Sequence, residues 1–282
     1  MKVTKMQGLG NDFVILDYSE YEKAKMEMPE LAKKLCDRNF GIGADGMIIP
    51  HILDEAEDAD IAWFFYNSDG TVAQMCGNGI RCFTKYVKDK HLVHSNKIRV
   101  RTLAGIIIPE IQSDGTVRVN MSTPILEPAR IPFKGNSNLN YEVKVFDKDF
   151  KLNAISMGNP HCVIFTDGSE DLLKMAKVYG EELEHNNLFP EKTNVEFAHV
   201  ISRNEIDMRV FERGCGITLA CGTGACATAV AGILNNLTDS KVKINLLGGS
   251  LIIEWQGSLT NPKQDIFMTG PAEYSFFAEY IL

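Results

Sequence analysis

The chain has little that would take it to a membrane, a nucleic acid or an oxidising compartment. No apolar run is long enough to span a bilayer, and the opening Met1-Lys2-Val3-Thr4-Lys5-Met6-Gln7-Gly8 lacks the apolar core of a signal peptide. Cytoplasmic residence is the expectation. Basic residues are outnumbered 29 to 37, and the net charge of −8 supplies no obvious face for neutralising phosphates. We therefore expect no nucleic acid and a small-molecule partner. The seven cysteines are odd in number and sit in a 282-residue chain, which argues for free thiols over a disulfide framework. Metal and phosphate motifs are also missing. Cys215, Cys221, Cys226 and His161 have no C-x-x-C spacing, and Gly41-Ile42-Gly43-Ala44-Asp45-Gly46 is not followed by Gly-Lys-Ser/Thr, so it reads as a turn.

What is present is an ordinary globular composition, 45% hydrophobic and 23% charged, enough for two cores of domain size. Short runs rich in β-branched and aromatic residues read as strands over 2–7, 13–18, 61–66, 97–103, 106–111 and 116–120. Helices are expected over 29–37 and 77–88. A Pro/Gly/Asn-rich stretch from Thr123-Pro124 to Asn138 reads as an interdomain connection. Beyond it, strands are expected over 141–146, 151–156, 161–165, 194–201, 205–211, 241–246 and 251–255, with Gly248-Gly249 as a turn and a helix from Gly222 to about Asn235. That helix has small or apolar residues on nearly every side and so no solvent face. The expected fold class is α+β: two pseudo-symmetric domains, each a curved, mostly antiparallel sheet wrapped around a central helix. We assign residues 1–122 with 270–282 to the first domain, which carries Cys76, and 123–269 to the second, which carries Cys221.

An internal repeat carries the chemistry. Cys76-Gly77-Asn78-Gly79 and Cys221-Gly222-Thr223-Gly224 share a frame and lie 145 positions apart, close to half the chain. Asn67 stands nine positions before Cys76, and Glu212 nine before Cys221; Gly10-Asn11 and Gly158-Asn159 precede them in turn. A cysteine at a helix start lies near free N–H groups and the positive end of the dipole, so its thiolate is favoured and its pKa is expected to fall. The glycines let backbone amides approach a carboxylate closely. Two such sites sharing one substrate suit removal of a proton α to a carboxylate by one thiolate and reprotonation by the opposite thiol, hence racemisation or epimerisation with no organic cofactor and no metal.

Other readings stand beside this one. A nucleophilic cysteine hydrolase would need a paired histidine, for which His161 is the candidate, although His161 reads equally as a strand-start residue satisfied by backbone. Asn11, Asn67, Asn78 and Asn194 read either as turn residues or as site residues. Glu212-Arg213 is either a surface ion pair or a grip for the second end of a substrate that has an amino acid at both ends. An amino-acid-binding protein would keep the pocket and need neither thiol.

Eight ordered motifs carry a family resemblance: Gly8-Leu9-Gly10-Asn11-Asp12-Phe13, Gly41 to Gly46, Tyr66-Asn67-Ser68-Asp69-Gly70, Met75 to Cys82, Met157-Gly158-Asn159-Pro160-His161, Thr193-Asn194-Val195-Glu196, Glu212-Arg213-Gly214, and Thr218 to Gly224. Together they resemble the diaminopimelate epimerase family over essentially the whole chain. The resemblance implies interconversion of L,L- and meso-2,6-diaminopimelate without pyridoxal phosphate, in lysine and peptidoglycan-precursor synthesis. It implies Cys76 and Cys221 as the acid/base pair, and Gly77, Asn78, Gly222 and Thr223 on the reacting carboxylate. Asn11, Asn67, Asn159, Asn194, Glu212 and Arg213 would bind the substrate, mainly at its distal end, with His161 in support; a homodimer stays open as the assembly. Ile217 departs from the pattern, since many members have glutamate there, and it follows an unusual Cys215. The alternative within the same fold is a proline racemase or hydroxyproline epimerase, against which Glu212-Arg213 and the asparagine set speak.

Overall fold

The computed structural model describes residues 1–53 and 58–282. In chain order the elements of the first half are β1 (Lys2–Gly8), β2 (Asn11–Ile15), α1 (Tyr18–Ala24), α2 (Met28–Cys36), β3 (Gly46–Ile52), β4 (Ile61–Asn67), α3 (Gly77–Asp89), β5 (Val100–Thr102), β6 (Gly105–Ile107), β7 (Glu110–Ile111) and β8 (Val117–Asn120). The second half has β9 (Tyr141–Val145), β10 (Lys148–Ser156), β11 (Pro160–Thr166), α4 (Leu172–Glu184), β12 (Asn194–Ser202), β13 (Glu205–Glu212), β14 (Gly216–Ile217), α5 (Gly222–Leu234), β15 (Lys241–Leu246), β16 (Gly249–Trp255) and β17 (Ile266–Gly270). The chain ends with β18 (Glu273–Glu279). It divides into two compact units, residues 1–120 with 269–282, and 121–268.

The first unit is a sheet in the order β18-β1-β2-β3-β4-β5-β6. Pairing from β1 to β6 runs antiparallel, parallel, antiparallel, parallel, antiparallel. In the second unit the order β10-β11-β12-β13-β15-β16 repeats that alternation step for step. Parallel neighbours need crossovers, and in both units these are helical. The first crossover carries α1 and α2, or α4; the second carries α3, or α5. Each unit is thus a mostly antiparallel α+β sheet with a central helix on one face and an outer helical layer on the other.

Strand alternation explains the two faces. Val14, Leu16, Met47 and Ile49 pack with Leu31 and Leu35 of α2, and Cys162, Ile164, Val195 and Phe197 pack with Met175, Ala176 and Leu183 of α4. The intervening residues face the central helices. Helix α5 packs against β10, β11, β12, β13, β15 and β16, and its residues 224–232 are all buried, so the sequence without a solvent face ends up enclosed. Cys36, Cys82, Cys162 and Cys226 are buried as small hydrophobes.

Several element readings change. The strand expected over 13–18 stops at Ile15, because Asp17 turns the chain into α1. The 97–103 and 106–111 strands shrink to three short pieces. Gly249 opens β16 instead of completing a turn, and β3, α4 and β17 were not anticipated. The C-terminal aromatic stretch pairs as β18 along β1.

Candidate active site

In the first unit Cys76 is the N-cap of α3, with extended backbone at φ −140° and ψ 122°. Its Sγ accepts a hydrogen bond from the Gly79 amide at 3.5 Å and donates to Asn11 Oδ1 at 3.5 Å. Asn11 heads β2, the neighbouring strand, and receives a second bond from Asn78 Nδ2 at 3.2 Å. Asn11 is itself held by Asp45, to which its Nδ2 donates at 2.6 Å. The first amides of a helix have no intrahelical acceptor, so Gly77 and Asn78 bring donors to the thiol's side.

Arg81 underpins this cluster, a role that residue type alone does not show. Its side chain is fully buried; it donates to Asn78 Oδ1 at 2.9 Å, to the Gly77 carbonyl at 3.0 Å and to the Pro271 carbonyl at 3.0 Å. Its position five residues after Cys76, on the inner side of the helix, was the available signal. Asn67 ends β4 but is exposed, and its Nδ2 donates to Thr71 Oγ1 at 3.0 Å within its own turn.

In the second unit Cys221 is the N-cap of α5 in the same extended form, φ −120° and ψ 107°. Its Sγ accepts from the Gly224 amide at 3.3 Å and lies 3.5 Å from Thr223 Oγ1. Asn159 Nδ2 donates to that hydroxyl at 3.4 Å, while Asn159 Oδ1 faces His161 Nε2 at 3.1 Å. His161 Nδ1 is 2.7 Å from Glu196 Oε1, and both side chains are fully buried. His161 is therefore satisfied by side chains and not by backbone. Nothing in the residue type or spacing of Glu196 signals these contacts.

The expectation of a lowered thiol pKa fails for Cys221. Burial pushes this thiol well above its ordinary 9.0, and the carboxyls of Glu212 and Glu196 add to the rise, outweighing the hydrogen bonds from Thr223 and Gly224. At 5% exposure the thiolate loses its hydration, and the helix start does not replace it. Burial likewise raises Glu212, whose Oε1 accepts from Thr218 Oγ1.

Asn194 is buried at the start of β12 and braces the corner: it donates to the Pro160 carbonyl at 2.9 Å and accepts from the Arg213 amide at 3.0 Å. The Arg213 guanidinium is exposed and donates to the Glu191 carbonyl at 3.0 Å. Gly222 stands partly open at the head of α5. Cys215 is exposed, and Ile217 in β14 packs against the outer core of the unit. Asn11, Asn78, Asn159, Thr223, His161 and Glu212 thus gather at one helix start or the other, Asn194 braces the corner beside them, and Asn67 and the Arg213 guanidinium bond elsewhere. Each unit presents free amide donors at a helix start with a thiol at its edge.

A sequence model of diaminopimelate epimerase matches residues 3–127 and 153–275. The chain is 45% identical to the diaminopimelate epimerase of Halothermothrix orenii, with 100% of this chain and 98% of that protein covered. Among solved structures it is similar to a Bacillus anthracis phenazine biosynthesis protein of the PhzF family, with TM-score 0.72, 15% identity and 100% and 99% coverage. It is also similar to a probable proline racemase from Agrobacterium radiobacter, with TM-score 0.68, 14% identity and 100% and 93% coverage. At those identities the two structures speak for the fold alone.

Proposed function

The chain belongs to the diaminopimelate epimerase family and is an isomerase, and we propose that it interconverts L,L- and meso-2,6-diaminopimelate with Cys76 and Cys221 as its two bases. The observation that carries this reading is the duplicated cap. In both units a cysteine sulfur closes the first turn of a glycine-led helix, bonded to the amide three residues on. A thiol and a row of amide donors arrive together, twice.

The chemistry follows from that pairing. Removal of the α-proton throws charge onto the substrate carboxylate, which the amides of Gly77, Asn78, Gly222 and Thr223 are suited to stabilise as it develops. One thiolate takes the proton, and the other thiol returns one to the opposite face, inverting the centre. Burial and two neighbouring carboxyls favour the protonated form of Cys221, which suits it to enter as the acid. Asn11, Asn67, Asn159, Asn194, Glu212 and Arg213 would bind the substrate, mainly at its distal amino acid end, Glu212 accepting from its ammonium and Arg213 donating to its carboxylate.

The reaction belongs to lysine and peptidoglycan-precursor synthesis, and we place it in the cytoplasm; no helix among the described residues is long and apolar enough to cross a membrane. For the assembly we propose a homodimer, supported by edge strand β18 with its exposed Phe276 and Phe277. A monomer in sedimentation at micromolar concentration removes that assembly.

Incubation with L,L-diaminopimelate and, separately, L-proline in deuterated water tests the reaction. Deuterium is expected at an α-carbon of the first with inversion and not in the second; exchange into proline alone, or into neither, refutes the proposal.

A further inference from the structure

The duplicated sheets allow a position-by-position comparison behind the two thiols. In the first unit Phe13 is registered with Gly46 across the parallel β2/β3 pair; in the second His161 is registered with Asn194 across β11/β12. Two residues along the third strand of each set stand Ile48 and Glu196. Phe13 and Ile48 thus occupy in one unit the places of His161 and Glu196 in the other. All four side chains are buried, at 1%, 0%, 0% and 0% exposure respectively.

The fold therefore accepts an apolar pair at these positions. A buried ionisable pair there adds desolvation cost without being needed for packing. It is also close to the chemistry. A Cβ placed on Gly224 would lie 2.7 Å from Glu196 Oε1 and 3.2 Å from Cys221 Sγ, so the carboxyl abuts the same turn whose amide holds the sulfur. At the matching Gly79 the neighbours are the Cys76 Cβ at 3.4 Å and the Phe13 ring at 3.5 Å.

Proton counting orders the second cluster. Asn159 gives its amide to Thr223, so its carbonyl oxygen faces His161 and the imidazole must carry hydrogen on Nε2. Nδ1 and Glu196 Oε1, 2.7 Å apart, then share one further proton. The other oxygen, Glu196 Oε2, is buried with no hydrogen-bond partner among the described residues. Such a group is costly unless its charge is used.

We infer that Glu196 is a positioning residue that acts through His161, holding the imidazole Nε2–H on Asn159 and, by way of Thr223, governing the proton on Cys221. The ionisable groups set against Cys221 are Glu212 at the end of β13 and Glu196 on β12, with His161 on β11 bonded to Glu196, and the first turn of α5 has no acidic residue. Glu196 bonds the imidazole directly and abuts the helix turn, whereas Glu212 meets the thiol itself. The inference deepens the two-base reading and rests on it.

Two measurements that need no turnover test it. In the wild-type protein, nitrogen-15 spectra of His161 should show a protonated Nε2; a bare Nε2 overturns the inference whether or not any variant folds. With cysteine Cβ atoms labelled with carbon-13, Glu196→Gln should lower the titration midpoint of Cys221 by about one pH unit and leave Cys76 in place. An unmoved Cys221, or equal movement of both thiols, overturns it. In kcat/KM profiles measured in both directions, Glu196→Gln should move the acid limb in only one direction, the one in which Cys221 is the base. If Cys221→Ala turned over normally the two-base reading would fail, while the titration result would still decide the role of Glu196.

Discussion

The two halves share a strand plan, a crossover plan and a capped thiol, yet the surroundings of those thiols differ in charge. Behind Cys76 the chain of hydrogen bonds runs through Asn11 and Asn78 to the buried guanidinium of Arg81. Behind Cys221 it runs through Thr223 and Asn159 to His161 and Glu196, with Glu212 alongside. At the place of Arg81, five residues after the thiol, α5 carries Cys226. A two-base epimerase needs one thiolate and one thiol at the start of each turnover, so two identical halves would serve it poorly. Duplication supplies the geometry, and substitution of a few buried side chains supplies the inequality.

The largest effects break the comparison outright. Cys76→Ala and Cys221→Ala should each lower epimerisation by about 10²–10⁴-fold or more with the protein still folded, read by coupled turnover and circular dichroism. Near-normal turnover in either variant ends the pairing of the halves. Next, Arg81→Met removes donors from the Gly77 and Pro271 carbonyls and from Asn78 Oδ1, all in the first unit. It should cost about 3 kcal/mol in urea unfolding.

Glycine substitutions sharpen the contrast at smaller scale. Gly224→Ala pushes a methyl to 2.7 Å from Glu196 and should cost about 1–3 kcal/mol. Gly79→Ala meets only ordinary contacts from 3.4 Å, and a helical alanine outperforms glycine, so thermal unfolding should show no loss or a gain of about 0.5 kcal/mol. Equal losses at the two sites would mean that their surroundings are alike.

The smallest effect concerns Asp12, next to Asn11. Burial opposes its ionisation, but hydrogen bonds and charge from Arg38 and Lys5 prevail and lower its pKa from 3.8 to about 2. A carboxyl depressed in the folded state lends stability that is present above pH 3.8 and lost as pH falls toward 2. Asp12→Asn should flatten that acid-side fall in stability, measured by urea unfolding at stepped pH; an unchanged slope refutes the assignment.

Much of the architecture was legible because it was written twice. The repeated Cys-Gly-x-Gly frame with its nine-residue lead located both central helices and the strands before them. Strand β3 escaped because Pro50 interrupts it, and proline argues against a central strand. Its pairing with β2 ends at Ile48, so beyond that residue β3 has no ladder on that side and the proline withholds no needed donor. Helix α4, capped by Asp171 onto the Lys174 amide, was hidden by Gly180 in its interior, which lies close against Phe211 where a methyl would clash. At the candidate site, the thiols, the asparagines and Glu212-Arg213 stood out by residue type and spacing. Arg81 and Glu196 did not, since an arginine on a helix and a glutamate on a strand ordinarily face water.

The sequence by itself determined the reaction class. A thiol followed by Gly-x-Gly at a helix start is a local arrangement, and local geometry follows from neighbouring residues. Only the tertiary structure decided how each thiol is tuned. The rise in the Cys221 pKa comes first from burial and then from carboxyls on two other strands, one 25 positions away in the chain. Desolvation and Coulomb interaction depend on what packs around a group in space, and no spacing along the chain reports that.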